Sequence, residues 1–356
     1  MPMDGAAPAL SFPFEPPEPG QAVAVAEGVL WMRLPMPMAL DHVNVYALDD
    51  GDGWTLVDTG LGAARTRAVW DALLSGPLAG RPVRRVFVTH HHPDHIGLAG
   101  WFQDRGAELV TTRTAWLFAR MLTLDVQERP TPQAVAFWRA AGMPAAMIAE
   151  RMAERPFNFA DAVAPLPVGF TRIAEADRIR MGGRDWRVRT GDGHAPEHAT
   201  LWSDDGLVIA GDQFLPGISA NIGVYPTEPA ADPLAEWLAS IARFAPLAED
   251  RHLVLPGHKR PYRGLPARLS AMAAEHAAAL DRLRAHLAEP RRAVECFVPL
   301  FGRAVEGPAY MLALVEAVAH LNHLFNRGEV ARTAAEDGAW LWRMAGQGAA
   351  SDPAGA

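Results

Sequence analysis

The sequence predicts an α+β protein, and three observations carry that prediction. Short runs of strand character alternate with helical spacing from Val23 to about Gly264. A long, mostly helical stretch interrupts them between Arg113 and Pro167. Beyond Gly264 the chain turns Ala- and Leu-rich and helical, then ends in two short strand-like runs. With 49% hydrophobic residues in 356, the chain can fill a sizeable core, and 21% charged residues argue against wholesale disorder.

Taken in order, residues 1–20 are Pro-rich and read as a flexible arm. Strands are expected at Gly28 to Leu34, Val43 to Leu48 and Trp54 to Asp58, the last two joined by a hairpin turn over Asp49 to Gly53. Ala64 to Leu74 has helical spacing, and strands return at Arg84 to Thr89 and Glu108 to Thr111. The helical stretch 113–167 reads as an insertion. It is broken by Pro130, Pro132, Pro144 and Pro156. Its aromatics and methionines suit either packing or a lid over an acyl or aromatic substrate.

Strand pattern resumes at Arg178 to Met181, Trp186 to Thr190, Thr200 to Trp202 and Leu207 to Ala210. Asp232 followed by Pro233 starts a helix running to about Phe244, and Leu253 to Leu255 is the last strand of this body. Helices at Ala267 to Leu287, Arg291 to Phe301 and Pro308 to Asn326 precede a hairpin, Val330 to Thr333 and Ala339 to Met344. That order resembles a winged-helix module.

Charge and composition narrow the function classes. The net charge is -8 and the pI near 5.9, which weighs against nucleic acid as a partner. Pro308 to Asn326, the expected recognition helix of a winged-helix module, contains no Lys or Arg. Phosphate contacts are therefore missing where they are needed, and packing or a homodimer interface is the better expectation. The one cysteine, Cys296, permits no intramolecular disulfide and lies in an apolar run, as a core residue would. The N-terminus lacks the basic and apolar regions of a secretory signal, and no segment approaches the ~18 apolar residues of a membrane span. A cytoplasmic location with no membrane partner is expected.

The chemistry concentrates in Thr89-His90-His91-His92-Pro93-Asp94-His95, directly after a strand. His90 and His92, two apart on an extended exit, can aim at one ion. Asp94 and His95, one turn further on, can aim at a second. Imidazole nitrogen and carboxylate oxygen suit zinc and related divalent ions. Three more candidates sit where apolar strands give way to loops: His194, Asp212 and His258. Strands fix their positions and loops free their side chains.

This ordered set, the HxHxDH motif followed by a lone histidine, aspartate and histidine, resembles the metallo-β-lactamase superfamily, as does Leu56-Val57-Asp58-Thr59-Gly60. The resemblance covers roughly Val23 to Tyr262. It implies an αββα sandwich over 21–263 carrying the 113–167 insertion, with a C-terminal helical, winged-helix-like module over 264–346 and a disordered tail over 347–356. It also implies two divalent ions at one edge between the sheets, zinc first, with iron or manganese as alternatives. His90, His92 and His194 would hold one ion, Asp94, His95 and His258 the other, and Asp212 would bridge them.

By the same resemblance a metal-bridging hydroxide attacks a small-molecule thioester or related ester, with Asp94 as the catalytic residue orienting the hydroxide or accepting a proton. The glyoxalase II-like branch is similar, although its glutathione-binding residues find no match here. A lactonase, a phosphodiesterase, a β-lactam hydrolase and an iron-dependent sulfur dioxygenase are the rival activities. Asp58 is expected to hydrogen-bond the metal-bearing loops, and His198 to stand behind the ligands. His42, Asn44, Asn221 and Tyr225 are candidates for contact with substrate. His91, the variable position of the motif, is expected to point away.

Overall fold

The computed structural model describes residues 10–38 and 40–346. Its elements run β1 (Val23–Ala26), β2 (Val29–Pro35), β3 (His42–Asp49), β4 (Trp54–Val57), α1 (Ala64–Ser75), β5 (Val83–Phe87), α2 (Pro93–Ile96), α3 (Ala99–Gln103), β6 (Glu108–Thr112), α4 (Arg113–Leu124), α5 (Pro132–Ala140) and α6 (Ala145–Ala153). There follow β7 (Thr171–Ile173), β8 (Arg178–Met181), β9 (Arg184–Gly191), β10 (His198–Ser203), β11 (Leu207–Gly211), α7 (Pro233–Phe244), β12 (Leu253–Pro256), α8 (Leu265–His286), α9 (Phe297–Phe301), α10 (Tyr310–Asn326), β13 (Val330–Ala334) and β14 (Trp340–Met344). The architecture is the α+β, αββα sandwich with a C-terminal helical module.

The chain divides into two compact units that are not continuous in sequence. The first takes residues up to Val126, Phe157–Ala220 and Arg243–Ser270; the second takes Gln127–Pro156, Asn221–Ala242 and the segment from Ala271. The helical stretch 113–167 is thus shared between units: α4 belongs to the first, α5 and α6 to the second.

The first unit holds a seven-stranded sheet in the order β1 to β7 and a five-stranded sheet in the order β12-β11-β10-β9-β8. Period-two alternation makes the sandwich. Trp31, Tyr46, Leu48, Val57 and Phe87 face Trp186, Val188, Leu201, Ile209 and Leu255 in the core between the sheets. Their strand neighbours Met32, Val45, Ala47, Leu56 and Val86 pack on the other face with Trp70 of α1 and Phe102 of α3. Burying each such side chain contributes about 1.5–3 kcal/mol. The turn at Asp49 to Gly53 joins antiparallel β3 and β4 as expected.

Strand direction gathers the functional ends. β4 and β5 are parallel, as are β11 and β12. β9 and β11 both run antiparallel to β10, so β9 points with β11 and β12. The C-terminal ends of β9, β11 and β12 therefore share one edge.

Part of the expected 1–20 arm requires correction. Ser11 pairs with Arg263, and the Arg260 guanidinium donates to the carbonyls of Phe12 and Phe14, so residues 10–20 are anchored. Residues 1–9 and the expected tail 347–356 lie outside the described residues.

In the second unit, α10 is mostly buried, including Leu314, Val318, Leu321 and the polar His320, Asn322 and His323. Asp232 caps α7 by accepting from Ala235 N–H at 2.9 Å and also faces His323 Nδ1 at 3.0 Å. Arg291 to Phe301 is not one helix but a 3₁₀ turn over Ala293–Cys296 leading into α9. Buried Cys296 has its thiol pushed up to about 12 by burial, as an inert core residue. Among the described residues no helix is long and apolar enough to cross a membrane.

Glu316 on α10 accepts from Asn221 Nδ2 at 2.7 Å, yet burial outweighs that bond and raises its pKa to about 7. A raised carboxyl favours the folded state while protonated. Its contribution is present in full below about pH 4 and is lost as pH rises through 7. Stability measured by denaturant melts is expected to fall by about 3 kcal/mol between pH 4.5 and 8 from this group, and Glu316→Gln to remove that part of the slope.

Candidate metal centre

The candidate ligands converge. His90, His92 and His194 form one group, Asp94, His95 and His258 another, and His90, His95 and Asp212 a third that overlaps both; within each, the ligand atoms lie within 4.8 Å of one another. Asp212 Oδ2 is 3.5 Å from His194 Nε2 and 3.3 Å from His258 Nε2, while its Oδ1 is 3.4 Å from His95 Nε2. Asp94 Oδ2 stands 3.3 Å from His258 Nε2 and 3.5 Å from His95 Nε2. All seven sequence-predicted ligands are in the first unit.

The residues behind them set which nitrogen faces inward. Asp58, at φ 60°, directly follows β4 and accepts from Thr89 N–H at 2.8 Å and from the Thr89 hydroxyl at 2.9 Å. Its Oδ2 also accepts from His95 Nδ1–H at 2.8 Å. With its proton given to Asp58, the Thr89 oxygen accepts from His90 Nδ1–H at 3.0 Å. The carbonyl of His42 accepts from His258 Nδ1–H at 2.8 Å. In all three histidines the Nδ1 proton is held outward and the Nε2 lone pair is left for the centre. His92 is turned the other way, its Nδ1 3.0 Å from His90 Nε2.

Electrostatics follow from burial and neighbours. Burial, reinforced by adjacent imidazoles, lowers His90 and His92, so both are neutral lone-pair donors. Burial opposes ionisation of Asp94 and Asp212, but the facing imidazoles win and both remain carboxylates. Burial likewise opposes protonation of His95 and His258, and the aspartates outweigh it, raising both.

This donor set fits divalent metal. Two carboxylates, Asp94 and Asp212, face the inward imidazole nitrogen of His95, and a third, Asp58, backs the same ring from the outside. Two ligand atoms there, His95 Nε2 and Asp212 Oδ1, are buried without a hydrogen-bond partner, a cost that coordination removes. The backbone is shaped to the same end. A Cβ on Gly257 would collide with Asp212 Oδ1, and one on Gly211 (φ 48°) would lie 2.6 Å from the His198 ring.

Of the remaining candidates, His198 lies behind the ligands. It accepts from Asp212 N–H at 3.1 Å and stacks on His90 at 4.5 Å, its pKa lowered to about 3 by burial. His91 faces Phe118 of α4 with ring centres 5.2 Å apart. His42 and Asn44 hold the turn that carries His258. Lys259 N–H donates to His42 Nε2 at 3.1 Å, and Asn44 Nδ2 donates to the carbonyls of Pro256 and Lys259. Asn221 and Tyr225 belong to the second unit, where Asn221 donates to Glu316 and to the Leu312 carbonyl.

Sequence reading missed Thr89 and Glu197. Thr89 was legible as the residue entering the motif. Glu197 had no signal, because its significance lies in a left-handed backbone, φ 49°, and in a bond to Thr114 across the fold.

Residues 280–345 match the model of the metallo-beta-lactamase-like C-terminal domain. The chain is 28% identical over 308 residues to a Bacillus subtilis protein named "Probable metallo-hydrolase YqjP", covering 84% of this chain and 92% of that one. Among solved structures it is similar to a beta-lactamase domain protein from Burkholderia ambifaria, with 37% identity, TM-score 0.86, and 94% and 98% of the two chains covered. It is also similar to the metallo-beta-lactamase family protein TTHA1429 from Thermus thermophilus, with 27% identity, TM-score 0.75, and 90% and 100% covered. Residues 38–258, spanning all seven candidate ligands, match the model of the metallo-beta-lactamase superfamily, and the chain belongs to that superfamily.

Proposed function

We propose that the protein is a metal-dependent hydrolase that uses two divalent ions, zinc in the first instance, to cleave a thioester or related ester of a small molecule. The observation that carries this reading is the convergence of seven buried or part-buried His and Asp side chains from the segment after β5 and from the ends of β9, β11 and β12. His90, His92 and His194 would hold one ion and Asp94, His95 and His258 the other. Asp212, whose Oδ2 approaches both His194 and His258, would join them. Divalent ions held there supply Lewis acidity and bring the pKa of water toward neutrality.

The chain's own part is orientation and proton handling. Asp58, Thr89 and the His42 carbonyl fix the imidazole tautomers before substrate arrives. Asp94 is kept a carboxylate by the facing imidazoles, so it can orient a water by accepting its hydrogen bond or take its proton. A thiolate leaving group needs little protonation, so a thioester asks least of such a site. The acidic net charge, and an α10 that lacks Lys and Arg and is mostly buried, favour a small-molecule substrate over nucleic acid. The winged-helix-like C-terminal segment then serves packing or a homodimer. Lactones, phosphodiesters and β-lactams are the rival substrates for the same centre, and metal analysis separates the iron-dependent dioxygenase.

The test is thiol release from a panel of acyl-CoA and glutathione thioesters by zinc-loaded protein. Asp94→Asn is expected to lower kcat by about 10²–10⁴-fold, with metal content measured alongside. No thiol release across the panel by protein carrying two metal equivalents would overturn the thioester reading.

A further inference from the structure

The loop that carries candidate ligand His194 has little to fix it from its N-terminal side. Gly191 and Gly193 precede the histidine, and Gly193 sits at φ 103°, a permissive backbone. Glu197, three residues after His194, is the opposite case. It sits at φ 49°, a conformation a non-glycine residue keeps only when its surroundings over-determine it. Two sets of bonds do so. Its N–H donates to Asp192 Oδ1 at 2.8 Å, closing the loop on itself across His194. Its Oε2 accepts twice from Thr114, from the N–H at 3.1 Å and from the hydroxyl. Thr114 lies in the first turn of α4, where N–H groups have no partner within the helix and the helix dipole favours a carboxyl acceptor. The Thr112 hydroxyl accepts from Ala115 N–H in the same turn, so Glu197 completes this cap from outside the helix. One turn along α4, Phe118 lies 5.2 Å ring to ring from His91, the residue between His90 and His92. Both segments that supply the His90, His92 and His194 group are thus braced on α4. The Asp94, His95 and His258 group is held elsewhere, by Asp58 on His95 and by the His42 carbonyl on His258.

We propose that Glu197 is a positioning residue for one of the two candidate metal sites: by capping α4 it locks the His194 loop to that helix and sets the affinity of the three-histidine site, while the other site does not depend on it. The proposal rests on the two-ion part of the hydrolase reading and on nothing about its substrate. The two bonds from Thr114 account for a glutamate at a backbone position that glycine would fill without strain.

The experiment is a competitive zinc titration of the full chain in two backgrounds, each with one candidate site removed. In His258→Ala, Glu197→Ala is expected to weaken the remaining zinc by about 10- to 100-fold. In His194→Ala, the same substitution is expected to leave the remaining zinc within about 2-fold. Thr114→Val, which removes one of the two bonds, gives a smaller loss in the first background that does not add to that of Glu197→Ala. Glu197→Gln, which keeps an acceptor oxygen, recovers most of the affinity. Glu197→Gly relieves the backbone but lacks the carboxyl group, and it is expected to bind as weakly as Glu197→Ala; wild-type affinity in this variant overturns the proposal. Equal weakening in both backgrounds, in step with lost stability in denaturant melts, also overturns it and leaves Glu197 a residue of the fold alone. So does zinc binding that His194→Ala leaves unchanged. The hydrolase reading fails separately: if no thioester is turned over by protein holding two zinc ions, the reaction falls and the clamp stands. A wild type holding one zinc, lost in His194→Ala, sinks the two-ion reading, and the clamp is then measured on that ion.

Discussion

Replacing Asp58 with alanine is expected to destabilise the protein by about 3–5 kcal/mol and to weaken metal binding by about 10–100-fold. The reason is geometric. One buried carboxylate accepts from Thr89 N–H, the Thr89 hydroxyl and His95 Nδ1–H. Its loss leaves buried donors without partners, each costing about 1–3 kcal/mol. It also frees His95 to rotate or change tautomer, and through Thr89 it loosens His90. Asp58→Asn separates the two effects. Asparagine tolerates the left-handed backbone at φ 60° and can still accept from Thr89 N–H, but it cannot accept on both sides. It is expected to recover part of the stability and less of the metal affinity. Denaturant melts and a competitive zinc titration measure the two quantities independently; equal losses in both variants would contradict this division of labour.

Stripping metal is the second large effect expected. Without cations, Asp94 and Asp212 remain ionised, and their charge is offset only by His95 and His258, whose pKa values are raised for that reason. The apo protein is therefore expected to fold, at a cost. A site saturated about 1,000-fold above its Kd contributes about 4 kcal/mol. For a domain of this size, chelation is expected to lower the melting temperature by about 10 °C, and added zinc to restore it in a concentration-dependent way. A melting temperature unchanged by verified removal of metal would show that the ligand cluster is satisfied without cations.

Much of the candidate centre was legible in the sequence because the converging His and Asp residues sit at or just past strand ends, where an apolar run gives way to a loop. His90, His92, Asp94 and His95 were readable from spacing, and Asp212 and His258 from the strands before them. Asp58 was readable as a partner of the loops, since Val-Asp-Thr-Gly ends a buried strand. The strand β7 was not legible: it has three residues, of which only Ile173 is buried, and pairing to β6 alone defines it. That α5 and α6 fall in the second unit with the C-terminal segment, while α4 falls in the first, was not legible, because α4, α5 and α6 share the same amphipathic character and which helix packs where is a long-range property. The anchoring of residues 10–20 was missed for the same reason, since Arg260 lies far along the chain. Glu197 escaped because one-dimensional pattern carries no backbone dihedral.

The most direct test of the central claim is the metal stoichiometry of the purified, zinc-equilibrated protein, measured by elemental analysis beside His194→Ala and His258→Ala. The account predicts two equivalents in the wild type and about one in each variant. A single equivalent in the wild type that His258→Ala leaves intact would contradict it.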